Sequence, residues 1–207
     1  MDWIRILELA LTSFTSIFVA LVGAGYFRKI ANKKERLQSK DKLMEQIKKD
    51  EIIHLSLRQI RRDYNVDRIY IWQFHNGGYF YSNTPMQKIS ISYERCSEGL
   101  ERNAEKNQNV LITNFNDYVE DVIHNNMFYT DINDITDIGI RSLNASNGTR
   151  SHCAVPIYDK EKHLIAILSM DWVFSEMPDS ILSEDGLFSE EFKNELITES
   201  ATLYKYL

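Results

Sequence analysis

The sequence predicts an α+β protein: an antiparallel sheet flanked by helices, preceded by one transmembrane helix and a helical stalk. Three observations carry that reading. Residues 9–27 contain no charged side chain. Residues 28–62 contain neither Pro nor Gly and hold 12 Lys/Arg against 5 Asp/Glu, a net +7. Beyond them, short β-branched and aromatic runs of period two alternate with polar turns and end in an amphipathic helix. The chain has 207 residues with 43% hydrophobic, 12% aromatic and 26% charged side chains. That is enough for one ordinary domain plus an appendage, too apolar for disorder, and with 2 Cys too poor in thiols for a disulfide scaffold. Residues 63–207 carry 11 Lys/Arg against 23 Asp/Glu, a net −12. An acidic body excludes nucleic acid as the main partner, because neutralising phosphates needs a basic face.

The uncharged run is long enough, at about 1.5 Å per residue, to cross most of a ~30 Å hydrocarbon layer, and a membrane helix over 6–27 is expected. Arg28, Lys29, Lys33, Lys34 and Arg36 follow it directly, whereas the amino-terminal flank is slightly acidic. The positive-inside tendency then places the N-terminus outside and the body in the cytoplasm, as a single-pass protein in the lipid bilayer. The small residues of Val22-Gly23-Ala24 also fit a cleaved signal peptide, but the basic block behind them opposes translocation. Residues 28–44 read as a basic juxtamembrane helical stalk. Ile30, Leu37, Met44 and Ile47 give it a partial heptad seam, which predicts a homodimer. Ile52, Ile53, Leu55, Leu57 and Ile60 then supply a broader apolar face for packing on a sheet.

From 67 to 74 the chain is aromatic and β-branched, hence a strand, and His75-Asn76-Gly77-Gly78 reads as the turn that ends it. Residues 87–94 alternate as a second strand. A polar helix over 98–106, a short strand over 109–113, and weak helical turns at 117–123 and 132–138 follow. The clearest hairpin comes next: strand 152–158, turn 159–162, strand 163–171. Pro156 is expected at a bulge or an unpaired position. The last helix carries Phe188, Phe192, Leu196 and Leu203 near one face; the first three offer a second dimer seam.

The Ala154-Val155-Pro156-Ile157 strand, its polar turn and the apolar strand to Asp171 resemble the carboxy-terminal half of a GAF domain. The order of elements from 45 to 207 is similar to that family as well. The stretch from Phe74-His75-Asn76-Gly77 to Tyr93-Glu94 also resembles single-pass GAF-like proteins of bacteriophages and prophages. The resemblance implies a sensory or regulatory module that binds a small molecule or a partner protein in a pocket between sheet and lid. The alternative is a phage-type membrane protein that acts on a host component without a ligand.

Six aromatics lie within twelve residues: Tyr70, Trp72, Phe74, Tyr79, Phe80 and Tyr81. They suit either a planar ligand or a core with an aromatic flap. By strand alternation Tyr70, Trp72 and Phe74 face a lid formed by 114–149, and Ile69 and Ile71 face the helices. His75 and Asn76 would stand at the rim. These five residues, Tyr70, Trp72, Phe74, His75 and Asn76, are the candidate ligand-binding set.

The better-marked GAF subtypes do not fit. Asn114-Phe115-Asn116-Asp117 lacks the Lys and the spacing of the cyclic-nucleotide signature. His152-Cys153 sits in a packing strand, not where a bilin would attach, and Cys96 and Cys153 are too few for the sulfoxide-reducing type. The five His (54, 75, 124, 152, 163) show no metal-ligand spacing, and Asp131-Ile132-Asn133-Asp134 lacks the oxygen ligand and Gly of a calcium loop. No phosphate loop or nucleophile elbow is present. The sequence therefore predicts no enzyme, no cofactor and no metal.

Overall fold

The computed structural model describes residues 40–79, 82–83 and 85–207. The membrane helix expected over 6–27, and Ile30 and Leu37 of the stalk, lie outside the described residues. Among those described, no helix is long and apolar enough to cross a membrane.

Residues 49–207 form one compact unit. A helix over 40–63 (α1) enters it. Ile53, Leu57 and Ile60, spaced three and four apart, are its buried face. Six strands follow: β1 (Arg68–Tyr79), β2 (Pro85–Cys96), β3 (Val110–Leu111), β4 (Met127–Tyr129), β5 (Ser151–Tyr158) and β6 (Leu164–Trp172). They make one sheet, ordered β3-β2-β1-β6-β5-β4, with every pair antiparallel. Helices α2 (Asn116–Asn125) and α3 (Ile138–Ser146) lie in the segment before β5, and α4 (Glu190–Leu203) closes the chain.

The sheet buries both faces, each in its own cluster. Ile69 and Ile71 of β1 join Val155, Leu168, Met170 and Trp172 beneath α1 and α4. Tyr70 and Trp72, their neighbours in sequence, join Ile89, Ile91, Ala154 and Ile167 beneath α2 and α3. Period-two alternation in a central strand produces this division.

The hairpin β5–β6 lies within one residue of its expected limits, and Pro156 sits past the last β4 pair, Met127↔Ala154. Three expectations are corrected and one is refined. His75-Asn76-Gly77-Gly78 is not a turn: β1 runs on to Tyr79, and His75 and Asn76 pair with Lys88 and Gln87. Gly78, at φ +101°, lies where the register shifts between Asn76 and Tyr79, a backbone geometry that favours glycine. The segment 98–106 forms no helix, because the buried Glu94 carboxylate accepts the Asn103 and Ala104 N–H groups (2.8 and 3.0 Å) and folds it into turns. The helical turn expected at 132–138 is a short 3₁₀ turn over Ile132–Asp134, and a helix, α3, begins only at Ile138, where Asp137 caps it through the Ile140 N–H at 2.9 Å. Phe188, Phe192 and Leu196 are fully buried under the sheet, so they are core and not a dimer seam.

Candidate functional site

The space between sheet and lid is built from β1, β5 and β6 below and the 112–146 segment above. Asp137 joins the two lid helices. One carboxylate oxygen caps α3, and the other accepts the Tyr118 N–H of α2 at 3.0 Å. This brings the Tyr118 ring down onto the sheet, where it is 2% exposed.

The five candidate residues do not converge. Tyr70 and Trp72 stand edge to face, ring centroids 5.9 Å apart, each 3% exposed beneath the lid. Phe74 packs at the margin of the same cluster. His75 points to the opposite face, as the alternation of β1 requires, and its Nε2 is hydrogen-bonded to Ser90 Oγ at 2.8 Å. Asn76 is exposed on the hairpin arm. The cavity left among Trp72, Ile89, Ile112, Phe115, Tyr118, Val119 and Ile140 is about 10 Å³, room for one water at most. The indole Nε1 of Trp72 is buried without a hydrogen-bond acceptor.

Beside these aromatics lies a feature the sequence reading missed. Arg68, Glu94, His152, Ser169 and Asp171 are all buried polar side chains. Strand register brings them together: Arg68 is opposite both Cys96 and Asp171, and Asp171 is opposite His152. Arg68 donates to Asp171 Oδ2 at 3.1 Å and lies 3.7 Å from Glu94. Asp171 Oδ1 accepts from His152 Nδ1 at 2.8 Å and from the Tyr70 hydroxyl at 3.3 Å. The Tyr118 hydroxyl completes the group, 3.4 Å from His152 Nε2 and 3.3 Å from Ser169 Oγ. Burial, reinforced by the Asp171 charge, raises the Tyr70 phenol well above its ordinary range; burial also pushes up Tyr118.

A carboxylate, an imidazole and a hydroxyl in sequence are the parts of a general-base relay. Here both His152 and Asp171 are 0% exposed, so the relay has no route to a substrate, and its members satisfy one another. The thiols are equally withdrawn. Burial raises Cys153 well above the ordinary thiol range, and Cys96 is pushed up to about 11, first by burial and then by Glu94. Both are protonated and poor nucleophiles at neutral pH.

Among the described residues, one group has metal-ligand proximity that residue spacing did not flag. Asp159, Glu161 and His163, in and beside the β5–β6 turn, bring ligand atoms within 4.8 Å of one another. Asp159 already accepts the Glu161 and His163 N–H groups, and His163 Nδ1 is 3.1 Å from its other oxygen, contacts that stabilise the turn.

Neither a family model nor a curated protein sequence matches the chain. Solved structures do. The GAF domain region of a Geobacter sulfurreducens protein assigned to the membrane is 18% identical, with 80% of this chain and 97% of that one aligned and a TM-score of 0.56. The blue-light absorbing PixJ GAF domain of Thermosynechococcus elongatus is 15% identical over 79% of this chain and 89% of its own, TM-score 0.55. A far-red absorbing domain with bound biliverdin IXa is 13% identical over 72% and 84%, TM-score 0.52. The sheet order, the two helices on one face and the lid on the other are thus those of a known architecture: residues 49–207 have the fold of a GAF domain.

Proposed function

We propose that the protein is a membrane-anchored cytoplasmic regulatory module of GAF fold that acts by binding protein, not by enclosing a small molecule. One observation carries this reading: side chains fill the space beneath the lid. Sites for drug-sized ligands occupy roughly 300–1,000 Å³. The cavity at Trp72 is about 10 Å³, and the biliverdin that one structural neighbour carries would find no room there.

Association runs through α1, in this reading, with a second copy of the chain. Met44 (46% exposed) and Ile47 (47%) of the sequence-predicted seam are exposed, and so are Ile52 and Leu55. An anchor in the bilayer would confine two such helices to one plane and raise their effective concentration.

Native mass spectrometry of the purified full chain tests the ligand-free reading. We expect masses of the polypeptide alone, as monomer or dimer. A stoichiometric small-molecule adduct would overturn it in favour of sensing. One observation favours that second reading: the unpartnered Trp72 Nε1–H would gain an acceptor if the lid opened over a ligand.

A further inference from the structure

The α1 side of the sheet carries a group of cations that the reading above does not use. Arg95 lies on β2 opposite Ile69, which places it on the face covered by α1. His54 and Arg58, one helical turn apart, stand on α1 itself, and Arg102 comes from the turns after β2. The Arg95 Nε and His54 Nδ1 atoms are both buried and lack a hydrogen-bond partner. Among the described residues, no carboxylate reaches ion-pair distance of Arg58, Arg95 or Arg102.

The neighbouring acids are engaged elsewhere. Glu94 accepts two backbone N–H groups and faces Arg68, Glu101 pairs with Lys106 at 2.7 Å, and Asp50 accepts the Tyr93 hydroxyl at 2.6 Å. The position of Arg102 is set by the same Glu94 contacts that fold the 97–109 segment. Tyr93 also braces the His54 ring, edge to face at 5.5 Å. Leaving the buried Arg95 Nε and His54 Nδ1 without a partner is costly unless a further group completes them.

We infer that His54, Arg58, Arg95 and Arg102 form a binding site for a phosphate monoester, carried by a small soluble molecule or by a lipid headgroup. Guanidinium forks match phosphate oxygens two at a time, and Arg58 and Arg102 are exposed, so the site is open to solvent. The electrostatics agree. Burial, and then Arg58 and Arg102, hold the Arg95 guanidinium below its ordinary range. Burial, then Arg95, lowers the His54 imidazole, against the opposing pull of Asp50. A dianion at the site would oppose both shifts, because its charge favours the protonated forms. Its His54, Arg58 and Arg95 members lie on the α1 side of the sheet, not beneath the lid.

The test is a titration of the full chain in detergent, at fixed ionic strength, with inorganic phosphate and separately with short-chain phosphatidic acid. Calorimetry and the thermal midpoint are the readouts. The site predicts saturable binding and a rise in Tm. Arg58→Gln and Arg102→Gln should each weaken binding about tenfold while leaving the ligand-free Tm equal or higher, since each removes a like charge. Arg61→Gln, whose guanidinium already bonds Ser97 Oγ at 2.8 Å, should leave binding unchanged. Binding of phosphatidic acid alone assigns a lipid headgroup, and binding of both assigns a soluble phosphate monoester. Absence of saturable binding to either, or equal responses in wild type and the Arg58 and Arg102 variants, overturns the site.

Discussion

The two faces of the sheet are built on different principles. Under α1 and α4 the core is aliphatic and aromatic, from Ile53 and Leu57 through Ile69, Leu168 and Met170 to Phe192 and Leu196. Beneath the lid, an aromatic cluster adjoins a buried network of one Arg, two carboxylates, a His, two Tyr hydroxyls and a Ser. The first face needs only apolar volume and tolerates conservative exchange. The second depends on each member's partner, because an unpaired buried charge costs more than a lost methylene.

The largest expected effect breaks the lid-side network. Asp171→Leu leaves the Arg68 guanidinium and His152 without their shared acceptor and should cost about 3–5 kcal/mol in urea unfolding. Adding Arg68→Leu should recover part of that loss, since the orphaned charge leaves with it. If Asp171→Leu costs no more than a surface exchange, the network contributes nothing and the contrast between the faces disappears.

On the helix side, Leu57→Ala removes a side chain with no exposure and should cost about 3 kcal/mol, with the urea slope unchanged. No second substitution should rescue it by removing a partner, because apolar packing leaves no charge behind. That difference in rescue, measured by the same unfolding experiment, sharpens the comparison.

A third prediction concerns the carboxylate just before β1, Asp67. Asp67 Oδ2 accepts three successive N–H groups, from Val173, Phe174 and Ser175, at 2.7–2.8 Å, and Oδ1 accepts the Ser175 hydroxyl. Burial alone would raise its pKa, but the Ser175 hydroxyl and these N–H groups hold it below the ordinary carboxylate value. A depressed folded pKa stabilises the protein above the unfolded pKa, near 3.9, and that stabilisation is lost as the pH falls through the folded value. Asp67→Asn should therefore cost about 1–2 kcal/mol at neutral pH. The gap between variant and wild type should close as the pH falls below 4. A gap independent of pH would remove the charge from the explanation.

What the sequence disclosed divides along the same line. β5, β6, the final helix and the alternation of β1 were legible because local apolar periodicity determines them. The lid-side network was not, since its members are brought together by strand register: Arg68 and Asp171 are 103 residues apart, Tyr118 and Ser169 are 51. His152 gave one signal, a polar residue inside an otherwise apolar strand, which demands a buried partner. The arm through His75 and Asn76 looked like a turn because Gly77-Gly78 follows, and pairing with Lys88 and Gln87 overrides that local preference. β4 has only three residues, too few for a period to show.

If the protein acts without a small ligand, as proposed, the lid space stays filled in the working protein. Trp72 Nε1, buried at that cavity without an acceptor, reports on it directly. The measurement is the ¹⁵N-indole resonance of Trp72, assigned by its loss in Trp72→Phe. It is recorded on full chain purified without denaturation and again after unfolding, dialysis and refolding. We expect one resonance at the same position in both samples, because no ligand is there to be lost. A resonance that moves after refolding, and returns on adding back the dialysed small molecules, would contradict it.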